Sequence, residues 1–143
     1  IDDDVPDTAL SVVQVPWAPD EEDLRRVGIA SLGVEDLIGQ GDLLERLVAY
    51  VPIVACTHGR DGADVYVDGR PTRVGTYLVD DVDPTGAGDT FAAGFIYGVA
   101  SGLDPMRAAS LGAASASIVV EEVGGQAIPR IASDARLRAE QIT

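Results

Sequence analysis

Apolar residues fall along this chain in short runs of two kinds. Compact runs rich in β-branched residues, bounded by Gly, Pro or Asp, predict strands at 10–15, 28–32 and 52–57. The run at 52–57 is almost wholly apolar, as expected of a central parallel strand covered on both faces. Strand-like runs at 63–67 and 72–74 flank Asp68-Gly69-Arg70-Pro71. Asp-Gly between two such runs predicts a hairpin, because a tight turn needs positive φ. Residues 77–79 read as a further strand. Helical spacing appears elsewhere. Residues 20–27 carry acids in a first turn and Arg25 and Arg26 in a last one. Asp42 is placed to cap a helix that runs to Tyr50, with Leu43, Leu44, Leu47 and Val48 on one face. Two longer helices follow, at 86–101 and 105–120, the second capped by Asp104 with Pro105 at its first position. Gly124-Gly125 is expected to end it, and Ser133 to cap a last helix reaching Ile142. Strands alternating with helices, plus one hairpin, predict a layered α/β domain.

The two longer helices are rich in small residues, among them Gly94, Gly98, Ala108 and Gly112. Small side chains let helix axes approach closely, or let a flat ligand lie on the backbone. Close packing is the expectation for most of them.

Composition narrows the picture. With 143 residues, 46% hydrophobic and 24% charged, the chain suits one globular domain around one core. No apolar run approaches the roughly 20 residues that span a bilayer. The start, Ile1-Asp2-Asp3-Asp4, shows no signal peptide and no initiator Met, and reads as part of a longer protein. The formal net charge of −14 repels nucleic acid and anionic membranes, so neither is an expected partner. It also repels ATP at long range, so a nucleotide site would need backbone N–H groups, a helix terminus or Mg²⁺. The single cysteine, Cys56, has no internal disulfide partner, which agrees with a reducing cytoplasm. Its neighbours Ile53, Val54 and Ala55 mark it as a buried strand thiol, not a nucleophile. The single histidine, His58, reads as a surface loop residue, since a metal site needs several ligands.

Candidate chemistry concentrates in Asp83-Pro84-Thr85-Gly86-Ala87-Gly88-Asp89-Thr90-Phe91, which runs from a loop into a helix. Gly86, Ala87 and Gly88 are expected as the first helical residues, whose N–H groups lack intrahelical partners. With no bulky side chain in the way, a phosphate could reach those groups, helped by the helix dipole. Asp89 sits one turn in, placed to take a proton from an alcohol as it attacks phosphorus. A plainer reading stands beside this one: Thr85 as an ordinary N-cap, glycines for packing, and Asp89 complementing the dipole.

The whole run resembles, position by position, the second signature of the ribokinase/PfkB carbohydrate kinases, with Pro84 where Thr is common. Thr57-His58-Gly59-Arg60-Asp61-Gly62 is similar to that family's phosphate loop, and lies directly after a strand, where α/β folds place ligands. The resemblance implies a ribokinase-like αβα fold and transfer of the ATP γ-phosphoryl group to a sugar or polyol hydroxyl. It implies Asp89 as catalytic base, with Gly86, Ala87 and Gly88 stabilising charge on the transferred group. Thr57, Gly59 and Gly62 would hold the nucleotide, with Ala113 against adenine. Val119, Glu122 and Gly124 would donate carbonyls that join Asp83 and Thr85 around a monovalent cation, K⁺. Glu35-Asp36 resembles the acidic motif that organises Mg²⁺, although Leu32 stands where the family usually has Asn, and a plain acidic helix start fits as well.

The resemblance covers roughly residues 28–132, about half a family member. The expectation is therefore a C-terminal nucleotide-binding part, 1–143, of one ribokinase-like domain, without the N-terminal half and lid. The isolated residues are then expected to bind MgATP weakly at most and to lack kinase activity, because nothing holds the acceptor in line. The complete protein is expected to be cytoplasmic and homodimeric. Two other functions stay open: a nucleoside kinase of the same superfamily, and a non-catalytic kinase-like binding or regulatory module.

Overall fold

The computed structural model describes residues 21–77, 86–119 and 128–142. Within them, β1 (Ile29–Gly33) and β2 (Ile53–Thr57) pair in parallel, joined through α2 (Leu43–Tyr50). β2 pairs antiparallel with β3 (Ala63–Val67), and β3 antiparallel with β4 (Arg70–Val74), giving the order β1-β2-β3-β4. The apolar run at 52–57 is thus central, but parallel on one side only. The hairpin supplies its other neighbour.

Alternation along the strands feeds two cores. Val54 and Cys56 of β2, with Ala30 and Leu32 of β1, meet Leu43 and Leu47 of α2 and Leu24 of α1 (Glu21–Arg25). On the other face, Ala55, Ile29 and Val65 meet Phe91 and Phe95 of α3 (Ala87–Ala100) and Ala108 and Ala109 of α4 (Pro105–Val119). Burial on both faces is why β2 reads as a continuous apolar run. α5 (Ile128–Ala139) packs on α4 through Ala135 against Leu111, Ala114 and Ile118. The result is the expected three-layer α/β arrangement.

The hairpin turns on two residues, Asp68 at φ 49° and Gly69 at φ 82°, both in the left-handed region that such a turn requires. β4 therefore starts at Arg70 and not at Thr72, placing Pro71 opposite Tyr66 inside the strand. The pair Val67–Arg70 closes the turn with hydrogen bonds, so the next pair does not exchange them. Pro71 can then sit in the ladder without losing a bond.

The α3–α4 pair explains its small residues. A Cβ on Gly94 would lie 2.9 Å from the Gly112 Cα, and one on Gly98 would lie 2.8 Å from the Ala108 Cβ. A Cβ on Gly112 would lie 2.6 Å from the Phe91 carbonyl oxygen. At its start, α4 is capped as expected: the Asp104 carboxylate accepts the Arg107 N–H at 3.0 Å. Asp42 occupies the cap position of α2 but makes no side-chain cap bond.

Other elements also differ from the sequence expectation. α3 starts at Ala87, with Gly86 as its cap residue at φ 82°. α5 starts at Ile128, so Ser133 lies inside the helix instead of capping it. Pro129 falls in the first turn, where a missing N–H costs nothing. Tyr77 is not in a strand. The strand expected at 10–15, residues 78–79 and Gly124-Gly125 lie outside the described residues.

Candidate active site

Parallel pairing sends the connections after β1 and β2 out of the same edge of the sheet. Gly33 and Thr57, the last residues of the two strands, are register partners. The Thr57 hydroxyl donates to the Leu32 carbonyl at 3.4 Å across this end. One connection is a 3₁₀ turn, Val34–Leu37, that carries Glu35 and Asp36. The other is the loop from His58 to Gly62, built on a 3₁₀ turn at Gly59–Asp61. The acidic motif and the glycine loop, separate in sequence, are therefore neighbours. In open α/β sheets this carboxyl edge is where ligands bind.

The two acids of the first turn divide their tasks. Asp36 caps the turn, its Oδ2 accepting the Gly33 N–H at 2.9 Å. Glu35 is exposed and lies across Gly33, where an added Cβ would stand 2.2 Å from its Oε1. Leu32, where the related motif carries Asn, is 4% exposed and packs into the α1–α2 core. Its side chain contributes packing there and no polar contact.

The glycines of the second loop also divide. Gly62 has φ 96°, and a Cβ would lie 2.2 Å from the Val74 carbonyl oxygen, so this glycine lets the hairpin close on the loop. Gly59 has φ 60° and nothing within 4 Å of its missing side chain. The loop closes on itself through His58 N–H to the Gly62 carbonyl at 2.8 Å and Asp61 N–H to the His58 carbonyl at 3.1 Å. His58 is not an idle surface residue: its Nε2 lies 2.9 Å from Asp64 Oδ2.

At the start of α3, the Thr90 N–H reaches the Gly86 carbonyl at 2.9 Å and closes the first turn. The N–H groups of Ala87, Gly88 and Asp89 precede that bond and have no intrahelical acceptor. Gly86 and Gly88 are exposed, with nothing within 4 Å of an added Cβ. Asp89 is exposed in the same turn. Backbone donors, positive dipole end and carboxylate thus stand together on one open helix terminus. The plainer reading assigned the cap to Thr85 and packing to the glycines. Gly86 takes the cap position instead, and neither glycine there packs against a described neighbour.

Ala113 is 7% exposed and packs between α4 and the sheet, so it offers a ligand only a narrow edge. Val119 is the last residue of α4. Asp83, Thr85, Glu122 and Gly124 lie outside the described residues. Among the described residues no three His, Cys, Asp or Glu side chains cluster to hold a metal ion.

This sheet, with helices on both faces, defines a ribokinase-like α/β protein. Ribokinase from Thermotoga maritima superposes with a TM-score of 0.69 at 21% identity, over 91% of this chain and 46% of that one. The family of pfkB carbohydrate kinases matches residues 28–131, and the chain belongs to that family. Inositol 3-kinase of Oryza sativa subsp. japonica is 46% identical over 71 residues, 50% of this chain and 18% of that enzyme. The 5-dehydro-2-deoxygluconokinase of Bacillus anthracis is 32% identical over 126 residues, 74% of this chain and 38% of that enzyme. The chain thus spans less than half the length of these curated relatives. No described helix is long and apolar enough to cross a membrane.

Proposed function

We propose that the complete protein transfers the γ-phosphoryl group of ATP to a hydroxyl of a sugar or related polyol. The observation that carries this reading is the start of α3: exposed glycines that no described neighbour packs against, N–H groups without an intrahelical acceptor, and Asp89 in the same turn. Asp89 accepts the acceptor's hydroxyl proton as its oxygen forms a bond to the γ-phosphorus. The bond from that phosphorus to the β,γ-bridging oxygen breaks, and ADP leaves. The N–H groups of Ala87 and Gly88, with Gly86 opening the approach, stabilise charge on the phosphoryl oxygens during transfer. Thr57 and Gly59 hold the nucleotide phosphates at the sheet edge, and Gly62 sets the shape of their loop. The edge of Ala113 borders the adenine.

Mg²⁺, when bound, neutralises the phosphate oxygens. Glu35, an exposed carboxylate on the same sheet edge that is not used as a cap, would orient it. Asp83, Thr85 and the carbonyls of Val119, Glu122 and Gly124 form the proposed K⁺ site. The buried, reduced Cys56 suits a cytoplasmic enzyme.

The names of the two curated relatives, an inositol kinase and a deoxygluconate-type sugar kinase, put cyclic polyols and sugar acids first among acceptors. The test is ADP release by the complete protein across inositols, sugars, sugar acids and nucleosides. Turnover with a polyol or sugar is expected. Turnover with nucleosides alone would move the protein to nucleoside kinases. MgATP binding without any acceptor-dependent turnover would make it a binding module.

A further inference from the structure

The glycine loop is held from below by three side chains that no part of the proposed chemistry uses. Asp64 of β3 and Arg73 of β4 are direct cross-strand partners. The Arg73 Nε donates to Asp64 Oδ1 at 2.7 Å, and a terminal nitrogen of the same guanidinium donates to Oδ2 at 3.3 Å. Its other terminal nitrogen donates to the Asp61 carbonyl at 3.0 Å. On the far side of the carboxylate, Oδ2 also meets His58 Nε2 at 2.9 Å. Both ends of this chain land on the loop: His58 at its entry and the Asp61 carbonyl near its exit. A planar guanidinium fork is suited to hold a carboxylate and a carbonyl at once.

A cross-strand ion pair with Arg73 half exposed adds little to global stability, roughly 0–1 kcal/mol. Its consequence is local. It ties down both flanks of Gly59, which has positive φ and no described atom within 4 Å of an added Cβ.

We infer that Asp64 is a positioning residue for nucleotide binding: with Arg73 it braces the Thr57–Gly62 loop in its binding shape before ATP arrives. This rests on the assignment of that loop to the nucleotide phosphates. Without the brace, ordering the loop is charged against binding, and affinity falls.

The test uses the complete protein with Asp64→Ala, Arg73→Ala and the double variant. MgATP affinity is measured by calorimetry, and turnover by ADP release with a competent acceptor. Each single variant is expected to weaken MgATP binding about tenfold, which corresponds to ordering one or two loop groups. The double variant is expected to be no weaker than either single one, because both break the same brace. The KM for the acceptor and kcat stay within about twofold, and the melting temperature stays near wild type. A merely structural role would lower the melting temperature and leave the affinity of the folded protein unchanged, which overturns the inference. Multiplicative losses in the double variant overturn it too. If the wild type binds MgATP but never turns over, the kinase reading fails while the affinity comparison still decides this one. A wild type that does not bind MgATP sinks both.

Discussion

The same residue type does opposite work in two regions of one helix pair. Along the α3–α4 seam, Gly94, Gly98 and Gly112 each face atoms that a Cβ would approach within 3 Å. At the start of α3, Gly86 and Gly88 face nothing within 4 Å. In the seam, glycine removes volume so that two backbones can touch. At the open end no described atom takes up the space, which leaves the backbone accessible to the phosphate of the proposed reaction. Small-residue composition is therefore ambiguous by itself. What decides between packing and binding is whether the space left by the side chain is already filled.

The largest expected effect lies beside the open glycines. Asp89→Asn should retain MgATP binding yet lose at least roughly 10²-fold in kcat, measured with the best acceptor from the panel. Near-normal turnover would remove Asp89 as the base and leave the open end without its chemistry. In the seam, Gly112→Ala should destabilise the protein by about 1–3 kcal/mol in urea titration, because its new Cβ meets the Phe91 carbonyl, which cannot swing aside. An unchanged midpoint would show that the two helices can separate at no cost. Gly88→Ala reverses the pattern: the midpoint should hold, or rise slightly from helix propensity, while MgATP affinity falls about tenfold. Equal affinity would mean that no phosphate approaches this backbone.

The smallest effect tests how dry the packed side of the sheet is. Burial foremost, then the Asp64 charge beside it, pushes the Cys56 thiol up to about 11 from an ordinary value near 9. The folded state therefore holds its proton longer than the unfolded chain does. The sign follows: stability is unaffected below about pH 9 and declines as pH rises from there towards about 11. Stability measured across that window should fall less in Cys56→Ala than in wild type. Parallel curves would show that the thiol ionises without hindrance.

Much of the fold was legible in the residue pattern, for physical reasons. Burial on both faces of β2 wrote itself into an unbroken apolar run, and the Asp68-Gly69 turn announced its geometry through residue type. The helix start at Gly86 to Gly88 was legible because consecutive small residues after a loop leave the first N–H groups uncovered. The last helix was expected to be capped by Ser133 but starts at Ile128, with Pro129 in a first turn, where it breaks nothing. The brace under the glycine loop was missed because it depends on register. A signal was nevertheless present: Asp64 lies four residues before Asp68 and Arg73 four after Gly69, so a two-residue turn pairs them. The division between Glu35 and Asp36 left no trace in sequence, because it depends on which carboxylate reaches back to Gly33.

Pro71 carries a consequence for the protein's colloidal behaviour. Opposite Tyr66 it sits in a pair that exchanges no ladder bonds, so its nitrogen faces away from β3. A foreign strand sliding along β4 would meet a position that cannot donate, with Arg70 and Arg73 in the same strand, all exposed. The turn that fixes this register therefore also makes β4, the last strand of the described sheet, a poor template. At high concentration, association through β4 is disfavoured by covalent chemistry, independent of salt or pH.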